Sequence, residues 1–121
     1  CVISLSDLLA DRTVIQRRVR AAAENDVVTA LYNPGSTKRR DLLEFTVETF
    51  RKTGGDELPV AVVHDVARPG ERFSIGKISE FPFEEIDMTT IVILGCSRTV
   101  VRNGRMYTLR GYQEKYGGFR Q

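Results

Sequence analysis

The chain has 121 residues, of which 41% are hydrophobic and 28% charged, and a formal net charge of +2. That length suffices for one domain with a true core. The charge is too weak to argue for nucleic acid by itself, and no nucleic-acid partner is expected; no apolar run approaches the roughly 18 residues that a membrane span needs. Its two cysteines, Cys1 and Cys96, make neither a disulfide framework nor a zinc signature. With no signal peptide evident, a reducing, cytoplasmic compartment is expected. The sequence opens "CVISLSD" in the middle of a strand-like pattern, without a methionine. It reads as a piece of a longer polypeptide, with residues 1–12 a connecting segment and residues 13–121 one domain.

Residues 13–24, "TVIQRRVRAAAE", predict a helix. Ile15, Val19, Ala22 and Ala23 share one face at the 3.6-residue period, and Arg17, Arg18 and Arg20 lie mostly off it. Asp11 or Thr13 offers an N-cap. Asn25-Asp26 breaks the helix, and "VVTALY", 27–32, predicts a strand. A second helix is expected over 37–52, with Leu43, Val47 and Phe50 along one stripe and Gly54-Gly55 as its stop. "PVAVVH", 59–64, and "IVILG", 91–95, are further apolar strands. Such runs predict central strands buried on both faces by helices. Between them, Arg72–Gly76 reads as a weaker edge strand. "SEFPFEEI" reads as a short helical turn, with Ser79 as cap and Pro82 in the first turn. "TVVRNGRMYTL" is a hairpin about Asn103-Gly104, and the tail "EKYGGFRQ" is expected to fray. The order predicts an α/β domain, a mixed central sheet with flanking helices.

In open α/β sheets, ligands bind beyond the carboxyl ends of strands. Leu31, Tyr32 and Asn33 stand at the first such end. Pro34 is expected to push Asn33 into extended backbone, leaving peptide groups to face a flat ligand; a plain strand-to-helix turn explains the same residues. Lys38, Arg39 and Arg40 open the second helix with positive charge, where the macrodipole favours acids. An anionic ligand accounts for them, and so does a solvated face with Asp41 and Glu44 as partners.

His64 and Asp65 close the "PVAVVH" strand. Neighbours in a strand point to opposite faces, so His64 reads as a packed side chain rather than half of an acid/base pair. Ala67 is small enough for a ligand to lie against the backbone. Arg68 can pair with a carboxylate, although Arg-Pro-Gly is also a good turn. Thr89-Thr90 and Gly95-Cys96-Ser97 flank the last apolar strand with hydroxyls and peptide groups suited to an adenine or ribose; β-propensity explains the threonines equally. Nothing marks Cys96 as a nucleophile, no metal-ligand spacing occurs, and no catalytic residue can be named.

Taken in order, "SLSDLL", "VIQRRVRAAAENDVVTALYNPGSTKR", "PVAVVHDVARPGE", "MTTIVILGCSRT" and "NGRMYTLRGY" resemble the precorrin-3B C-17 (cobalt-factor III) methyltransferases of cobalamin biosynthesis, within the class III tetrapyrrole methylases. The resemblance covers nearly the whole chain. It implies an enzyme of two α/β domains with S-adenosylmethionine in the cleft between them. This chain would be the C-terminal domain, and the glycine-rich "GDP" type loop would lie on the other domain.

The resemblance further implies that Leu31, Tyr32 and Asn33 border the adenosine, that Val66 and Ala67 give backbone contacts to the adenine, and that Thr89 and Thr90 close the pocket. Arg68, Lys38, Arg39 and Arg40 would face a polycarboxylate tetrapyrrole substrate. The implied reaction is methyl transfer to C-17 with ring contraction, S-adenosylhomocysteine being released, in a homodimer. The family pattern has Arg-Asn or Arg-Asp where this chain has His64-Asp65. The alternatives are a sister methylase acting on another ring carbon, against which the "GRM.T.RGY" ending argues, and a non-catalytic dimerisation fragment.

Overall fold

The computed structural model describes residues 1–8, 10–35 and 40–111. Its elements run in chain order β1 (Val2–Ser4), α1 (Arg12–Glu24), β2 (Thr29–Tyr32), α2 (Arg40–Gly54), β3 (Pro59–His64), β4 (Arg72–Lys77), two 3-10 turns (Ile78–Glu80 and Phe83–Glu85), β5 (Thr90–Leu94), β6 (Thr99–Arg102) and β7 (Arg105–Thr108). The first five strands form one sheet in the order β1-β2-β5-β3-β4, and β6-β7 form a separate hairpin. The fold is therefore α/β with a mixed sheet. β1 and β2 are parallel, and every other pair in the sheet is antiparallel.

The helices form where the apolar period says they should. α1 buries Ile15, Val19, Ala22 and Ala23, and α2 buries Leu42, Leu43, Thr46, Val47 and Phe50. The two pack on each other and on one face of the sheet, where Ile3, Leu31, Val60, Val62, Val92 and Leu94 complete the core. Asp11 occupies the N-cap of α1 but its side chain makes no cap bond; instead Arg12 reaches Asp7 at 3.2 Å and also Asp41 at the start of α2. Asp41 is thus engaged by an arginine from α1. Beyond α2, Gly55 takes a φ of +91°, a backbone state that glycine adopts without strain.

Two expectations change. The apolar strands are not covered by helices on both sides among the described residues. On the second face the β6-β7 hairpin lies against only part of the sheet, leaving a groove of about 430 Å³ between Ala61, Val63, Ile75 and Ile93 and the hairpin's Met106 and Tyr107. Phe73 on that face is 60% exposed. A continuous apolar run cannot by itself tell one buried face from two when the second face is only half covered. Likewise the "SEFPFEEI" segment forms two separate 3-10 turns split at Phe81-Pro82, with Pro82 outside the second rather than within a first turn. The hairpin turn is as expected, Asn103 and Gly104 both having positive φ, +53° and +71°.

Strand direction positions the site. β1, β2 and β3 point the same way and β5 the opposite way. Ser4, Tyr32 and His64 therefore finish at the edge of the sheet where β5 begins with Thr90 and β4 with Arg72.

Candidate functional site

At that edge lies a cavity of about 230 Å³, lined by Tyr32, Asn33, Asp65, Val66, Arg68, Met88, Thr89, Thr90 and Ile91. Three loops make it, one after β2, one after β3 and one before β5. Of the residues singled out in the sequence, the structure brings together Tyr32, Asn33, Val66, Arg68, Thr89 and Thr90. Tyr32 and Val66 are each almost half exposed and Met88 is 65% exposed. This apolar surface is interleaved with peptide groups. Among the described residues, the N–H and carbonyl of Val66 have no hydrogen-bond partner.

The loops hold unusual backbone. Asn33, Asp65 and Ala67 all have positive φ, +56°, +51° and +60°. Asn33 is therefore left-handed, not extended as the following proline suggested. Asparagine tolerates this state, and its Nδ2 donates to Ser4 Oγ at 3.0 Å, tying the loop to β1. For Ala67 the left-handed region costs about 1–2 kcal/mol. Glu71 Oε1, accepting the Ala67 N–H at 2.9 Å, helps to hold it there.

Other candidates sit elsewhere. Leu31 is wholly buried in the helix-side core, and its neighbours in register are Ile3 and Val92; it does not line the cavity. Ala67 does not line it either, and its N–H is already taken by Glu71. Arg40 donates to the carbonyl of Phe83 at 2.6 Å and lies over the Phe83 ring, 5.9 Å from its centroid. It clamps α2 to a 3-10 turn rather than lining the cavity. Lys38 and Arg39 lie outside the described residues. His64 is buried, 5% exposed, with Nδ1 3.2 Å from Thr90 Oγ1. Asp65 turns away from it, 3.8 Å from Arg72.

The threonine hydroxyls are not free to donate to a ligand. Asp87 Oδ1 accepts from the Thr89 N–H at 2.9 Å, the Thr89 hydroxyl at 3.0 Å and the Thr90 hydroxyl at 2.9 Å. Thr90 and then Thr89 hold the Asp87 carboxyl below the usual carboxylate range, with His64 adding a smaller effect. Sequence reading missed Asp87 and Met88. The Asp-x-Thr-Thr spacing was the available signal, since an aspartate commonly caps N–H groups two and three residues on.

A larger cavity, about 460 Å³, opens at the other end of the sheet between the C-terminal ends of α1 and α2. Its carboxylate Asp26 accepts from both the hydroxyl and the N–H of Ser97, which with Arg98 nearby lowers its pKa. Size favours that cavity, and Gly95 and Ser97, marked in the sequence beyond the last apolar strand, line it; but Tyr32, Asn33, Val66, Arg68, Thr89 and Thr90 gather at the smaller one, which is therefore the candidate site. Among the described residues, no group of three or more His, Cys, Asp and Glu is placed to hold a metal ion, and no helix is long and apolar enough to cross a membrane.

No family model matches the chain. Comparison with individual proteins is more informative. The chain is 40% identical over 117 residues to a precorrin-3B C(17)-methyltransferase of Sinorhizobium sp, the match covering 93% of the chain and 46% of that protein. It is 39% identical over 112 residues to a probable cobalt-factor III C(17)-methyltransferase of Salmonella typhimurium, covering 93% of the chain and 46% of the relative. The chain is homologous to this family of methyltransferases. Among solved structures, the methyltransferase CobJ superposes with a TM-score of 0.83 at 28% identity over 90% of the chain and 46% of CobJ. The chain thus spans about half the length, or less, of the curated relatives it matches.

Proposed function

We propose that the chain is the C-terminal α/β half of a cytoplasmic methyltransferase that moves a methyl group from S-adenosylmethionine to C-17 of precorrin-3B or cobalt-factor III, with ring contraction following. One observation carries this reading: the ends of three apolar strands, at Tyr32, Val66 and Thr89-Thr90, line a single cavity in a chain homologous to methyltransferases of that name. The residues present suit the donor's nucleoside. Tyr32, Val66 and Met88 offer apolar surface to a purine face, and the peptide groups of Val66, unpartnered among the described residues, offer a donor and an acceptor to its edge.

S-adenosylmethionine, when bound, supplies an electrophilic sulfonium methyl. The chain's part is orientation. Fixing donor and acceptor carbon in line is worth about 7–11 kcal/mol of the barrier in favourable cases, and Asn33, Val66, Thr89 and Thr90 stand on loops whose geometry is held from within. Arg68, on the cavity wall, is placed to pair with a carboxylate of the tetrapyrrole. Lys38 and Arg39 keep that role as an expectation. The half-covered sheet face suits association, with a homodimer as the expected state.

Calorimetry with S-adenosylhomocysteine tests the reading. The complete polypeptide carrying this chain is expected to bind it, and Tyr32→Ala to weaken binding roughly tenfold. Arg68→Glu should raise KM for the tetrapyrrole more than that for the donor. No binding by the complete polypeptide would overturn the proposal.

A further inference from the structure

We propose that Asp87 is a positioning residue that locks the Asp87–Thr90 turn into the shape of a cavity wall, acting through Thr89 and Thr90 rather than on any ligand. The inference deepens the nucleoside-site reading and rests on it for the ligand, but the lock itself stands on geometry alone.

A single carboxylate oxygen, Asp87 Oδ1, receives three hydrogens from Thr89 and Thr90. The backbone of Asp87 closes the turn in both directions, its N–H donating to Thr90 Oγ1 at 3.0 Å and its carbonyl accepting the Thr90 N–H at 3.3 Å. The Thr90 hydroxyl has one proton, and Asp87 takes it. At the contact with His64 the threonine oxygen must therefore accept, which puts a proton on His64 Nδ1. Thr90 is buried, 2% exposed, and its oxygen joins the end of β3 to the start of β5.

The third loop of the cavity is fitted to the same turn. Gly35 approaches so closely that an added Cβ would lie 1.9 Å from the Asp87 carbonyl oxygen. The Asp65 N–H donates to the Thr89 carbonyl at 3.3 Å. Segments 33–35 and 64–65 thus both meet the 87–90 turn, the first on Asp87 itself and the second on Thr89 and Thr90. Each carries or adjoins cavity residues, and the wall's Met88 is inserted between the two ends of the lock.

Two measurements on the complete polypeptide test this. Amide hydrogen exchange reads the lock without a ligand. In Asp87→Ala the Thr89 amide should exchange at least roughly tenfold faster, with the amides of Val92 and Leu94 unchanged. Titration with S-adenosylhomocysteine should then show a dissociation constant raised roughly tenfold or more at a temperature where the variant is folded. Asp87→Asn keeps an oxygen to accept the same three hydrogens and should restore most of the affinity. Should Asp87→Ala not fold, Thr90→Val removes the hub hydroxyl at constant shape and should weaken binding similarly.

Unchanged Thr89 exchange overturns the lock. Unchanged affinity in a folded variant that has lost Thr89 protection overturns the positioning role. If the unaltered protein binds no S-adenosylhomocysteine, the nucleoside reading falls, and the exchange result alone decides the lock.

Discussion

Gly35 shows how one residue type is demanded by its neighbours. The backbone of the Asn33–Gly35 loop packs directly on the backbone of Asp87, and no side chain fits between. Gly35→Ala should cost about 1–3 kcal/mol, the usual range for overpacking, measured by urea denaturation. Asp87 itself gives a pH prediction. Its pKa is lowered in the folded state, chiefly by the Thr90 hydroxyl and the Thr89 N–H. The stability it contributes is therefore present above the unfolded carboxylate range and lost as pH falls through the lower folded value. The margin of wild type over Asp87→Asn should be full above about pH 5 and vanish in stronger acid. A margin that widened toward low pH would contradict the assignment. Parts of the site were legible in the sequence because strand-end residues follow from apolar runs. That Leu31 points into the core follows from the two-residue alternation, which puts it on the opposite face from Ala30 and Tyr32. Which face the helices cover is a tertiary fact that the run of apolar residues leaves open.

At the scale of elements, Arg40 is the informative case. A guanidinium at the first residue of α2 opposes the helix dipole, yet here it donates to the Phe83 carbonyl and lies over the Phe83 ring. Arg40→Ala should lower stability by about 1–2 kcal/mol, read by thermal unfolding; a KM effect without any loss of stability would instead favour a role in binding substrate. In the β6-β7 hairpin, Gly104 has φ +71°, and Gly104→Val should cost about 1–2 kcal/mol. The elements with strong local signals were readable, namely the amphipathic α1 and α2 and the Asn-Gly turn. The 78–85 segment was not, because Pro82 and packing of Phe81 on Phe83, ring centroids 4.8 Å apart, divide it into two turns in a way that helix period cannot express.

For the molecule as a whole, the meaning of the fold lies in its asymmetry. Among the described residues, helices seal one face of the sheet and the hairpin covers only part of the other, and the shared direction of β1, β2 and β3 gathers three loops at one edge. A nucleoside held only by that wall would be exposed on its far side, so on the proposed reading tight binding requires a second wall from outside this chain. The decisive measurement is a crystal structure of the complete polypeptide with S-adenosylhomocysteine. The adenosine should lie against Tyr32, Val66 and the Asp87–Thr90 turn; an adenosine seated instead between the C-terminal ends of α1 and α2, or on a surface that leaves the strand-end cavity empty, would contradict it.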